Sequence, residues 1–209
     1  MPLVRKPPSG PKPPAAPDLA AILQTLAGGT DEQRWSAARA AASLPDSVPA
    51  LGAALARERS ATVREALFTA LARIATPQSV ETVLPFLRSD DALVRTGASD
   101  ALLAMKDVAW PHVAKLLRDP DADIRTLACG LVREMPNETA VDLFCDLLDA
   151  EQEPNVCAAA VDALAEIGAT RALPTLTRCA ERFRATPFLV FSIKIAVDRI
   201  RSHVTSPRG

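Results

Sequence analysis

The chain contains no tyrosine, and phenylalanine and tryptophan together bring its aromatic content to only 4%. Sheets are built largely from aromatic and β-branched side chains, so this poverty argues against a strand-rich fold. Histidine is almost missing too. His112 and His203 lie far apart in the chain and in different repeats, so they are not expected to meet as metal ligands or as a base beside a nucleophile. No glycine-rich phosphate loop, GxSxG elbow or HExxH motif occurs, and nothing in the sequence speaks for catalysis. The four cysteines, Cys129, Cys145, Cys157 and Cys179, form no CxxC pair and sit within apolar helical patterns. They are expected as reduced, buried or half-buried thiols, with Cys157 the most exposed by position, and no metal or cofactor is expected. Charge of either sign is not in excess: 24 Lys and Arg face 25 Asp and Glu, for a net −1. That balance lacks the basic surplus nucleic-acid binding requires. No apolar run approaches the ~20 residues that span a bilayer. The N-terminus offers Pro and Lys where a secretory signal would be apolar. A soluble, cytoplasmic protein is expected, with another protein as partner, no nucleic acid and no membrane.

What the chain has instead is alanine and leucine, within a hydrophobic content of 48%, which favours closely packed helices. Residues 1–17 stand apart, with seven prolines among them and Arg5, Lys6 and Lys12 as their only charges. Such a segment cannot bury a core and reads as a disordered, basic Pro-rich tail, either a passive leader or a docking segment for an aromatic groove or an acidic surface. The rest of the chain is left near −4.

From Asp18 onward the sequence repeats itself. Five segments starting at Gln33, Val63, Val94, Ile124 and Val156 share a template in which offsets 0, +4, +7, +8 and +11 are apolar, save for Gln33 itself. Those offsets lie on one face of an α-helix. Offset +4 reads Ala37, Leu67, Ala98, Ala128 and Ala160, and offset +8 reads Ala41, Leu71, Leu102, Val132 and Leu164. Each segment is preceded by another apolar-periodic stretch, such as Val48, Leu51 and Leu55, or Val141, Phe144, Leu147 and Leu148. A last pair closes with Leu189, Ile193, Ala196, Val197 and Ile200, which makes about six helical hairpins over residues 18–203, followed by a disordered 204–209. Asp31, Ser60, Asp91 and Asp121 are N-cap candidates for second helices, and Thr186 caps a helix that opens on Pro187. Pro49, Pro85, Pro111 and Pro174 fall inside or early in first helices, where a recurrent kink is expected.

The stretches "SATVREALFTALARI", "DDALVRTGASDALLAM" and "DPDADIRTLACGLVREM" resemble HEAT repeats, and most closely the short bacterial variety also found in phycobilisome-lyase-type proteins. The resemblance covers roughly residues 18–200. It implies an all-α fold, a right-handed α/α superhelix whose second helices line a concave, protein-binding surface. The first repeat departs from the pattern with Gln33 at the valine position, the fifth with Cys157 at the arginine position, and the sixth is weak.

Arg34, Arg64, Arg95 and Arg125 recur at spacings of 30, 31 and 30 residues and form a ladder along one edge of such a stack. The ladder could hold a polyanion. The preferred reading is structural, each Arg pairing with an Asp near the hairpin turn, such as Asp31, Asp91 or Asp121, and satisfying loop carbonyls. Offsets +2, +5, +6, +9 and +10 are left unburied by the template and define a candidate binding face. It comprises Trp35, Arg39, Phe68, Thr69, Arg73, Thr96, Ser99, Asp100, Leu103, Thr126, Arg133 and Asp162, with Glu166 beside them. Trp35, Phe68 and Leu103 are apolar where solvated helices carry Lys or Glu, and are read as anchors for a partner. In the last helix Phe188, Phe191 and Ile195 make more than one face apolar, so they either wrap back onto the preceding pair or mark a dimer or partner contact. The leading functional reading is a non-catalytic scaffold or adaptor that captures a partner helix or peptide, monomeric on its own. The alternative, implied by the lyase resemblance, is an accessory or lyase-type subunit presenting a chromophore or cofactor to a partner protein, with Cys157 as its candidate thiol.

Overall fold

Several helices begin on a side-chain cap, and several end on a left-handed or extended residue. A computed structural model describes residues 18–205, with side chains through residue 202. Among these residues the structure is all-helical, with twelve α-helices and no strand. They pair in order: α1 (Leu19–Gly28) with α2 (Asp31–Ala41), α3 (Val48–Arg57) with α4 (Ala61–Ile74), and α5 (Pro77–Val83) with α6 (Ala92–Ala104). Then come α7 (Lys106–Leu116) with α8 (Ala122–Val132), α9 (Asn137–Ala150) with α10 (Pro154–Ile167), and α11 (Leu173–Arg182) with α12 (Pro187–Thr205). The six hairpins form an α/α solenoid, as the repeat template implies. Residues 1–17 and 206–209, and so the Pro-rich tail and most of the expected C-terminal tail, lie outside the described residues; α12 itself continues past 203.

The caps show why the template reads as helix. Asp91 and Asp121 cap α6 and α8 by accepting from the backbone N–H of Leu93 (2.9 Å) and Asp123 (2.9 Å). In α2 the cap is Thr30 rather than Asp31: the Thr30 hydroxyl accepts from Gln33 N–H while the Gln33 side chain accepts from Thr30 N–H, a capping box that makes Asp31 the first helical residue. Ser60 precedes α4 without making a side-chain cap. The expectation of a recurrent kink needs correcting. Pro49 and Pro174 sit in the first turns of α3 and α11, where a missing N–H costs nothing. Pro85 turns the end of the third first helix into a 3-10 segment, Leu84–Arg88, and only Pro111 lies inside an α-helix, α7.

The core is the sum of the template positions. Leu67, Ala98, Ala128, Ala160, Leu71, Leu102, Val132 and Leu164 are all buried, together with Val48, Leu51, Val80, Val113, Phe144 and Leu148 from the first helices. At ~25 cal/mol per Å² of apolar surface, a fully buried Leu contributes about 2 kcal/mol, and no single hairpin could bury this set alone. The second helices pack in two runs, α2 on α4 on α6, and α8 on α10 on α12. Between α6 and α8 this direct packing lapses, and the two runs are joined by α5 on α7 and by α6 on α7, across a connection of the single residue Met105.

Candidate functional site

The arginine ladder is the first recurrent cluster, and its hydrogen bonds are spent inside the fold. Arg34 makes a bidentate pair with Glu58 of the next layer (2.7 and 2.9 Å) and also donates to Gly29 O (2.7 Å) and Asp31 (3.0 Å). Arg125 repeats the arrangement with Glu151 (2.6 and 3.0 Å) and with the carbonyls of Asp119 (2.8 Å) and Pro120 (3.1 Å). Arg64 reaches Asp91 (2.7 Å), and Arg95 donates to Ser89 O (2.7 Å) and Asp90 O (3.1 Å). Asp119, which stands where Arg95 would find its carboxylate, is taken by Arg88. Of the three Asp partners expected, Asp31 and Asp91 do pair with the ladder, but Asp121 approaches only Arg88, at 3.9 Å. The principal partners are Glu58 and Glu151, which the template passed over. Their signal was present, since an acidic residue stands six places ahead of the ladder position at Glu58, Asp119 and Glu151.

These two glutamates do more than neutralise. The Glu58 carboxylate also accepts from the backbone N–H of Arg59 and Ser60, both at 2.9 Å, and that of Glu151 from Gln152 and Glu153, both at 2.9 Å. Hydrogen bonding from Arg34 holds Glu58 at about 2, well below the usual carboxylate range, despite its burial. Burial pushes Glu151 upward, yet the Arg125 guanidinium and the two backbone donors outweigh it and leave its carboxyl lowered. In the fifth layer, where Cys157 replaces the arginine, Arg182 of α11 donates to the carbonyls of Glu151 (3.1 Å) and Leu148. Cys157 is 0% exposed, which corrects its expected accessibility: offset +1 points into the joint between layers. Cys129 and Cys179 are buried as well, Cys145 is half-buried, and burial pushes the Cys129 thiol up to about 12.

The second feature is a groove on the second-helix face, between α4 and α6, with a volume of about 800 Å³. Gly97 creates its floor. A Cβ there would lie 2.7 Å from the Phe68 ring, so the absent side chain is what lets the ring lie across the joint. Phe68 is only 5% exposed and meets Phe86 edge-on, with centroids 5.8 Å apart. The repeat template makes Phe68 a projecting anchor; in the structure it is part of the floor. The physical reason is general, because Ala38, Cys129 and Val161 at the same offset are buried too: +5 turns sideways toward the next second helix rather than outward. The walls are Ala72, Ala101 and Ala104, the rim carries Glu65, Thr69, Arg73, Thr96 and Asp100, and Leu93 stands on it 70% exposed. A smaller depression between α2 and α4 shares Glu65, Thr69 and Arg73 with the groove and is flanked by Trp35, whose ring lies 4.6 Å beneath the Arg39 guanidinium.

The structure therefore gathers Trp35, Arg39, Phe68, Thr69, Arg73, Thr96 and Asp100 along two adjoining grooves. It does not gather the rest there. Leu103 is half-buried against the core, Ser99 and Thr126 donate to the carbonyls of Arg95 (3.0 Å) and Ala122 (2.9 Å) within their own helices, and Arg133 bridges to Glu166 at 3.4 Å. Asp162 is exposed on α10. Leu93 was missed because it precedes the template's first position. In α12, Phe188, Phe191 and Ile195 do not wrap back onto the preceding pair, since they are 50%, 65% and 50% exposed.

Stacked helical hairpins with a grooved second-helix face and an internal arginine ladder define an α/α repeat protein. The family model for HEAT repeats matches residues 48–110 and 110–184, and the chain belongs to the HEAT-repeat family. The two matched stretches meet inside α7, beside the lapse in packing between α6 and α8. Among solved structures, an archaeal HEAT-like repeat protein from Thermococcus onnurineus NA1 is similar at 16% identity and a TM-score of 0.46, over 88% of this chain and 87% of that one. A designed armadillo repeat protein is similar at 18% identity and 0.40, over 88% and 100%. The complex of CpcE and CpcF of phycocyanin lyase from Nostoc sp. PCC7120 is similar at 17% identity and 0.40, over 95% and 100%. No curated protein matches the sequence. No helix of the described residues is long and apolar enough to cross a membrane.

Proposed function

We propose that this chain is a non-catalytic scaffold or adaptor whose second-helix face holds a helix or peptide of another protein, with the groove between α4 and α6 as its main seat. The observation that carries this reading is the combination of an apolar floor, Phe68 over Gly97, with Leu93 exposed on the rim. A large apolar side chain held in water beside an apolar slot is stabilised by any segment that covers both, and the charged rim of Glu65, Arg73 and Asp100 would fix the orientation. The arginine ladder supports the reading indirectly, because its guanidinium groups are engaged within the stack and leave that edge a structural seam. The test is quantitative capture. The chain is immobilised, bound proteins from the source lysate are identified by mass spectrometry, and the same capture is repeated with Leu93→Asp and with Ala72→Trp, which fills the slot. Loss of one specific partner with both variants, with helix content unchanged, is the expected result; equal recovery by both would remove the groove as the binding seat.

A further inference from the structure

The face that holds the groove continues beyond it toward α12, and its chemistry changes with position. Leu93, Phe188, Phe191 and Ile195 are the large apolar side chains exposed among the described residues. In template register Leu93 and Phe188 both stand one place before the first core residue, and Phe191 and Ile195 stand at +2 and +6. Those positions share one face of a helix, the face opposite the core.

The stripe on α12 does not belong to the end of the stack. Gly97 at +3 meets the Phe68 ring of the preceding second helix at +5, so the +3 side looks back along the stack and the +5 side looks forward. On α12 the forward side carries Lys194, Asp198 and Arg201, all exposed, which is the polar outer side a terminal layer needs. The apolar stripe therefore lies on the same grooved face as Leu93.

Between these two apolar footholds the face is acidic. Asp100, Asp123, Glu134, Asp162 and Glu166 are exposed at its outward positions, against two guanidinium groups: Arg133, which lies 3.4 Å from Glu134 and 3.4 Å from Glu166, and Arg199, which stands on α12 beyond Ile195. By contrast Glu32 and Glu65 balance Arg39 and Arg73 on α2 and α4. Gly130 has nothing within 4 Å of where its Cβ would be, so the face is open at that point of the acidic stretch. From α6 to α12 there are two packed helix spacings of ~8–10 Å each, α8 to α10 and α10 to α12, and the step from α6 to α8 where direct packing lapses, and hence at least about 25 Å, the length of a helix of about 17 residues or more.

We propose that the face from α6 to α12 binds an amphipathic helix of a partner protein that is apolar at both ends and basic between them. The proposal rests on the reading that this face is the binding surface, and it adds the partner's chemistry. One apolar end fills the groove beside Leu93, the other covers Phe188, Phe191 and Ile195, and Lys or Arg side chains between them meet the carboxylates. Such binding weakens as salt rises, because the carboxylates are solvent-exposed and screened.

The probe is a synthetic, dye-labelled helical peptide of about 20 residues, Leu and Phe in its first and last turns and Lys between, titrated by anisotropy against the full chain. Saturable binding is expected, at least tenfold weaker with a Glu-for-Lys peptide, with Phe191→Ser plus Ile195→Ser, and with Asp162→Lys plus Glu166→Lys. These positions are exposed, so circular dichroism of the variants should match the native chain. Absence of binding by the Lys peptide, or equal binding by the Glu peptide, overturns the proposal. If Leu93→Asp abolishes capture of a native partner while the α12 and acidic-row variants retain it, the groove reading stands and this inference fails. A dimer of the free chain that dissociates with the α12 variant would assign the stripe to a second copy. A tenfold gain in peptide binding on removal of residues 1–17 would assign the acidic row to the chain's own basic segment. Either result overturns the proposal.

Discussion

Two glycines in second helices make opposite demands on a side chain. Gly97 faces the Phe68 ring so closely that an added Cβ would sit 2.7 Å from it, whereas Gly130 opens onto free space. Gly130→Ala should stabilise the fold by about 0.5–1 kcal/mol through helix propensity alone. Gly97→Ala gains the same propensity but displaces an aromatic ring from a filled joint, and should cost a net ~1–2 kcal/mol. Urea titration of the two variants checks both signs. Glu58 gives a second prediction at this scale. Its folded pKa, about 2, lies below its ordinary 4.5, so its contribution is complete above about pH 5 and disappears as pH falls toward 2. Glu58→Gln should therefore lower stability by roughly 1–2 kcal/mol at neutral pH. The gap to the native chain should close between about pH 5 and pH 2, as read from denaturation midpoints across that range. Neither Gly97 nor Glu58 was legible as a structural determinant from its type, and Glu58 could be found only from the recurrent acidic residue six places ahead of the ladder position. Phe68 shows why: the 3.6-residue period tells core from surface, but +5 lies at the flank of that period, and only the neighbouring layer decides whether it is covered.

At the scale of the element, the apolar periodicity sufficed to locate all six hairpins, because each helix must turn a continuous apolar stripe toward its partner. The ends were less legible. Thr30 outcompeted Asp31 as a cap because Gln33 could return its hydrogen bond, and Pro49 and Pro174 slipped into first turns where their kinking effect vanishes. Helix ends also carry a contrast that can be measured. Both α4 and α10 finish on a left-handed residue, Ala75 at φ 49° and Gly168 at φ 76°. Glycine takes that conformation without the Cβ clash that alanine suffers. Ala75→Gly should raise the thermal midpoint, by a stabilisation of about 0.5–1 kcal/mol, and Gly168→Ala should lower it by a similar amount.

For the whole molecule, stability is shared between layers rather than held in one centre. Glu58 and Glu151 tie each loop to the arginine of the layer before it, and the buried template residues fill the joints. What the sequence could not convey is the angle between successive layers. The lapse between α6 and α8 coincides with the single-residue connection at Met105 and with the proline inside α7, Pro111, and neither alters the apolar pattern of the helices it separates. The grooves share this origin: they open where small residues, Gly97, Ala72 and Ala101, leave a joint unfilled on its outward side. The chain is a row of layers. Spin labels at Lys194 on α12 and, in turn, at Asp162, Asp100, Thr69 and Arg39 measure that row directly by pulsed dipolar spectroscopy. Stacking at ~8–10 Å per layer predicts distances that climb stepwise along this series. Distances that stay level, or that fall for Arg39, would mean a closed bundle and contradict it.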